Sequence, residues 1–158
     1  HSYSSAASDV YKRQAKNAFT KTNISSVGDD SGLIVPAINN EPGLYSARYA
    51  GLNATDSDNR NKLISKLKDK KLESTYAYFF CCIVAVGLKG QNEIIVCDGK
   101  VEGEVRTIER GEKGFGYDPI FYPKGYSESF AELNSLEKNK ISHRGQALKM
   151  LMDKLNKT

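Results

Sequence analysis

Long apolar runs, paired cysteines and dense charge of one sign are what this 158-residue sequence has least of. Its longest apolar stretch, Ala77 to Leu88, falls short of the ~18 residues that a membrane-spanning helix needs, so no membrane partner is expected. The first residues, HSYSSAASDVYKRQ, contain no apolar core segment and do not read as a secretory signal. Three cysteines occur, Cys81 and Cys82 side by side and Cys97 alone, with no CxxC spacing. Neighbours in a strand point to opposite faces, so the expectation is reduced, packed thiols in a cytoplasmic protein. The formal net charge of +4 favours anionic ligands mildly. Lys68-Asp69-Lys70-Lys71 is the one dense basic cluster and reads as a solvated helix end, so no nucleic-acid partner is expected. There are no internal repeats and no low-complexity linker.

What remains is the composition of one globular domain, of a size that buries roughly two thirds of its unfolded surface. Ala15 to Ile24 reads as the end of a helix, and Leu33-Ile34-Val35 as a short strand stopped by Pro36. Asn39 to Gly43 is a turn cluster. Thr55 with Asp58 forms a capping box, and Leu63, Ile64 and Leu67 follow at helical spacing, which predicts a helix from Asp56 to Lys68. Thr75 to Leu88 is rich in aromatic and β-branched residues and reads as a buried strand. Turns at Lys89 to Asn92 and at Asp98-Gly99 then separate two further strands, Glu93 to Cys97 and Lys100 to Glu109, which makes an antiparallel meander. Ile120 to Tyr122 is a short strand ending at Pro123, and Ala131 to Lys138 reads as helical. Ser142 is a good N-cap for a last helix with an apolar stripe of Ala147, Leu148, Leu151, Met152 and Leu155. The pattern is a mixed α/β domain.

Three segments carry residues suited to chemistry. In DDSGLIV, Asp29 and Asp30 form an acid pair expected in a turn ahead of a strand, where adjacent carboxylates diverge. One can bind Mg²⁺ while the other holds a water, since Mg²⁺ takes one or two carboxylates and keeps several waters. A bare Asp-Asp-Ser-Gly is more often a turn capping its own backbone. In RGEKGFGYDPIF, glycines flank Phe115 and allow close backbone approach while the ring is presented. Such a ring stacks on a base for ~1–3 kcal/mol. Asp118, held by Pro119, can accept from a ring N–H, but a hairpin with a core-facing Phe fits the segment too. In ISHRGQAL, His143 and Arg144 place cations in a helix's first turn, against the macrodipole. Something anionic or carbonyl-bearing must offset that, whether a ligand or a local carboxylate. Acid pair, aromatic loop and basic helix start together suit a metal, a flat base and a phosphate chain.

DDSGL…EPGLYSARYAG, RGEKGFGYDPIF and EKNKISHRGQAL, in that order, resemble the signature blocks of the inosine/xanthosine triphosphate pyrophosphatases, the Ham1-like family. The resemblance runs from about Lys16 to the C-terminus. It implies an elongated mixed β-sheet flanked by helices, two lobes with a nucleotide cleft between them, a homodimer, and Mg²⁺ as cofactor. By resemblance Asp30 is the general base and Mg²⁺ ligand, with Asp29 as a weaker metal candidate, and Ser31 a substrate contact. Phe115, Gly116, Tyr117 and Asp118 correspond to the base-binding loop, Phe115 stacking and Asp118 reading a ring edge. Lys138 resembles a substrate-contacting lysine, and His143 and Arg144 the residues facing a purine's 6-oxo group. Arg48 is added, by charge and position alone, as a phosphate contact.

The sequence departs from the family in one place. Members begin with a strand bearing a small-residue, Asn and Lys motif that cradles the triphosphate, followed by a Glu that shares the metal, and neither is found here. Residues 1–14, with SDVYKRQ similar to translated adapter sequence, are read as a non-native leader. Residues 15–158 are read as a single pyrophosphatase domain lacking its N-terminal strand–helix unit, which would leave an open sheet edge. The expected activity is hydrolysis of ITP, dITP and XTP to the monophosphate and pyrophosphate. An impaired fragment that binds purine nucleotides without turnover is the alternative, and a single-strand-binding domain a more remote one.

Overall fold

The structure, a computed structural model, describes residues 3–90 and 93–157. Among these residues, four α-helices and five strands follow the order α1 (Tyr3–Thr22), β1 (Ser26–Val35), β2 (Glu41–Gly43), α2 (Asp56–Asp69), β3 (Ser74–Val86), β4 (Ile94–Arg106), β5 (Phe121–Pro123), α3 (Ser135–Ile141) and α4 (His143–Asn156). The strands form one sheet in the order β2-β1-β3-β4-β5, so the architecture is the expected mixed α/β. Its two short edge strands pair antiparallel, β2 on β1 through Ile34 opposite Pro42 and β5 on β4 through Glu104 opposite Tyr122.

Local chemistry explains the elements that follow the sequence closely. The Thr55 side chain accepts from the Asp58 N–H while the Asp58 carboxylate accepts from the Thr55 N–H, which closes the predicted capping box at the start of α2. The Ser142 hydroxyl accepts from the Gly145 N–H at 3.1 Å and caps α4. Along α4, Ala147 and Leu151 are buried, whereas Leu148 and Met152 of the predicted stripe stay exposed.

Four expectations are corrected. Asp29 and Asp30 lie inside β1, which begins at Ser26, rather than in a turn before it. Asp98-Gly99 does not turn the chain but sits within the single strand β4, so the meander reduces to a long hairpin. The glycine serves packing instead: a Cβ at Gly99 would lie 1.8 Å from the His143 carbonyl oxygen, so only glycine lets the start of α4 approach β4 so closely. The helix expected over Ala131 to Lys138 forms later, over Ser135–Ile141, and the Asn134 side chain accepts from the Glu137 N–H at its start. Residues 41–43, read as turn, contribute the edge strand β2. Of the turn expected at Lys89 to Asn92, Gln91 and Asn92 lie outside the described residues.

The described residues divide into two compact units, with the divisions falling within β1, β3 and β4. The first comprises the chain up to Ser31, Phe80–Lys100, and the chain from Ser142. Strand alternation sorts its core: Cys81, Ile83 and Ala85 of β3 pack with Cys97, Ala147 and Leu151, while Cys82, Val84 and Val86 pack with Ala15 of α1. All three cysteines are free and buried, and burial pushes the Cys82 thiol up to about 11. The second unit comprises Gly32–Phe79 and Val101–Ile141. Its core joins Leu33 and Val35 to Leu63 and Leu67 of α2, and holds a cluster in which the Phe121 ring lies 4.7 Å from Phe79 and 5.0 Å from Phe130.

Leu63 is fully buried and Leu52 is 88% exposed. Leu63→Ala is therefore expected to lower stability by about 3 kcal/mol, through lost burial and a residual cavity. Leu52→Ala is expected to change it by less than about 0.5 kcal/mol. Urea titrations at constant m-value measure both, and a Leu63 variant as stable as the parent would remove α2 from the core.

Candidate active site

The first unit brings the acid pair to the basic helix start. β1 carries Asp29, Asp30 and Ser31 in succession, so Asp29 and Ser31 share one face of the strand and Asp30 takes the other. On the first of these faces the Arg144 guanidinium, from the first turn of α4, donates to one Asp29 oxygen through Nε at 3.0 Å and Nη2 at 2.8 Å. The cost of a cation at a helix N-terminus is thus offset by a local carboxylate, one of the two explanations the sequence left open. Both side chains remain over two-fifths exposed, so the pair adds little stability, but it gives the guanidinium a direction. Ser31 lies beside Cys81, whose thiol burial holds above its ordinary range. His143 is buried at the first position of α4, where its carbonyl faces Gly99.

Asp30 is half-buried. Among the described residues, no three His, Cys, Asp or Glu side chains gather as a metal site. Asp29 is engaged with Arg144.

The second unit brings the aromatic loop to Lys138. Asp118 is 4% exposed, and one of its oxygens accepts both from the Phe115 N–H at 2.8 Å and from the Lys138 ammonium at 2.5 Å. The same ammonium sits 4.8 Å from the Phe115 ring centroid. Gly114 has φ +79, and a Cβ there would stand 2.0 Å from that Asp118 oxygen, so the loop closes on the carboxylate only with glycine at this point. The Phe115 ring is left 62% exposed rather than turned into the core. Tyr117 is buried and donates to the Ser46 carbonyl at 2.9 Å.

Two contacts of this loop were not legible beforehand. The Gly116 N–H donates to the Asp56 carboxylate at 2.7 Å, and the Gly116 carbonyl accepts from Arg60 at 2.8 Å. Asp56 and Arg60 stand four apart on α2, a spacing that marks a shared helix face but does not say what the face meets. Arg48 lies in a short 3-10 turn with its guanidinium 5.3 Å from the Tyr45 ring centroid.

Known proteins resemble this chain in sequence and in fold. A "dITP/XTP pyrophosphatase" of Idiomarina loihiensis is 46% identical over 144 residues, covering 91% of this chain and 71% of that protein. The Ham1 protein of Staphylococcus aureus superposes with a TM-score of 0.81 at 42% identity, over 89% of this chain and 71% of that one. A HAM1 protein from Coxiella burnetii gives a TM-score of 0.83 at 40% identity, over 91% and 73%. A sequence model of the Ham1 family matches residues 4–154, a span that takes in the acid pair, the aromatic loop and the start of α4; this chain belongs to the Ham1 family.

Proposed function

We propose that this chain hydrolyses purine nucleoside triphosphates whose base is neither adenine nor guanine, namely ITP, dITP and XTP, to the monophosphate and pyrophosphate. The observation that carries this reading is the 46% identity, over 91% of the chain, to a protein named dITP/XTP pyrophosphatase. The geometry adds an exposed ring on a loop held by Asp118 and Lys138, and a guanidinium aimed by Asp29. In this reading the Phe115 loop takes a purine base and Asp30 serves the phosphates. The Mg²⁺ dependence, the homodimer and the cytoplasmic location that the resemblance implies belong to the same proposal.

The reaction is attack of water at the α-phosphorus with departure of pyrophosphate. Asp30 takes the proton from the attacking water and would also hold Mg²⁺. When bound, that ion would neutralise charge developing on the phosphates. Lys138, already between Asp118 and the Phe115 ring, adds positive charge beside the stacked base. His143 and Arg144 donate toward position 6 of the purine. A planar fork with a set direction suits the O6 and N7 edge of a 6-oxo purine. Facing the 6-amino group of adenine, the same donors would be buried without acceptors, an expensive mismatch.

Asp30→Asn is expected to reduce kcat at least about a hundredfold, the scale of losing a positioned base, with Tm nearly unchanged. Chelating divalent ions with EDTA should silence the parent enzyme, and added Mg²⁺ should restore it. Pyrophosphate release assays measure both, and an Asn variant with near-parental turnover would remove Asp30 from the mechanism. Across substrates, ITP, dITP and XTP should be turned over with kcat/KM at least about a hundredfold above ATP and GTP. Comparable rates with all five would refute the base-reading scheme. Binding of IMP with no pyrophosphate release from any of them would replace the enzyme with a nucleotide-binding fragment.

A further inference from the structure

The Phe115 loop owes its shape to two carboxylates, and only one of them belongs to the loop. The N–H of Phe115 itself donates to Asp118, which pins the peptide entering Phe115. The peptide leaving Phe115 carries the Gly116 N–H, and this donates to Asp56 at 2.7 Å. With the planes on both sides held, φ and ψ of Phe115 are fixed, and only the side-chain torsions of the ring remain. One helical turn further along α2, Arg60 donates from Nη1 to the Gly116 carbonyl at 2.8 Å, so the next peptide is held as well. Arg60 is itself fastened, its Nε lying 3.0 Å from Glu109 with the side chain 15% exposed. Asp56 stands at the first position of α2, immediately after the Thr55 cap, so it rides on a helix end with its own anchor. Both residues also reach the neighbouring Tyr117, where the Asp56 charge adds to burial in raising the phenol and Arg60 opposes it.

We infer that Asp56 and Arg60 are positioning residues for base recognition: α2 grips the peptides on either side of Gly116 and holds the Phe115 ring ready before any ligand arrives. This rests on the proposed role of Phe115 as the base platform. A platform whose backbone is already ordered loses little freedom when a base stacks on it, so the grip appears in binding rather than in the chemical step. Neither residue lies in the three motif segments, and nothing in the chemistry of hydrolysis requires them.

The alternative role for Asp56 is a plain one, an acid in a helix's first turn that stabilises α2 through the macrodipole. Substitution separates the two. Asp56→Ala removes the acceptor and the charge, whereas Asp56→Asn removes the charge and keeps an oxygen that can accept from the Gly116 N–H. Asp56→Ala is expected to raise KM for ITP about fivefold, on the scale of one lost hydrogen bond, with kcat within about twofold of the parent. Asp56→Asn should return KM to within about twofold of the parent. Amide hydrogen exchange at Gly116 should accelerate in the Ala variant and not in the Asn variant.

A double-mutant cycle completes the test. Phe115→Ala alone should raise KM about tenfold through lost stacking, and adding Asp56→Ala should raise it little further, because the grip then has no ring to hold. A parental KM for Asp56→Ala beside a raised KM for Phe115→Ala would overturn the inference and leave the base platform standing. Fully additive effects, or an Asn variant as impaired as the Ala variant, would also overturn it. An unchanged KM for Phe115→Ala would instead overturn the base platform, and this inference with it.

Discussion

A carboxylate shut away from water is tolerated only with partners, and the second unit is organised around the partners of Asp118. Its oxygen takes the N–H of Phe115 and the ammonium of Lys138, residues on opposite sides of it in the sequence. Meeting both forces the glycine-rich segment to curl back over the carboxylate, with Gly114 at the one point where a side chain would collide. It also ties down α3, seven residues long and too short to persist alone. A second tie to that helix comes from Tyr126, whose hydroxyl donates to Glu137 at 2.6 Å. The exposed ring of Phe115 is thus the outcome of satisfying a buried charge nearby.

The same logic, at lower stakes, runs through the first unit. A cation in the first turn of a helix meets the positive end of the dipole, and Asp29 supplies the counter-charge across the sheet–helix contact. Close approach is what brings the two within reach, and Gly99 permits it by presenting no side chain to the His143 carbonyl. In each unit a carboxylate inside a motif serves another residue of the protein first. Asp118 bonds to Phe115 and Lys138, and Asp29 to Arg144.

The motif segments were more legible than the contacts their side chains make. Local signals were readable because their partners lie within a turn: Thr55 and Asp58, or Ser142 and Gly145. The family motifs named the segments, but a motif does not state which side chains bond. Asp29 and Arg144 are 115 positions apart, and Gly116 and Asp56 are 60 apart, so only the fold makes them neighbours. The misread elements share a cause. Asp98-Gly99 and Asp29 to Gly32 are rich in turn formers, and local propensity says turn; the pairing of long strands overrode it. At Gly99 the glycine was there for a helix arriving from forty-odd residues downstream, a reason that no window of the sequence contains.

The three thiols have a practical meaning beyond packing. Cys81 and Cys82 sit back to back on β3, one in each layer of the first unit's interior, and Cys97 joins the Cys81 layer from β4. Burial keeps each of them protonated and out of reach of electrophiles. An alkylating reagent therefore meets sulfur only after these layers part, and Cys82 answers to a different layer from the other two. The chain carries its own pair of molecular clocks for the opening of its sheet, one on each side.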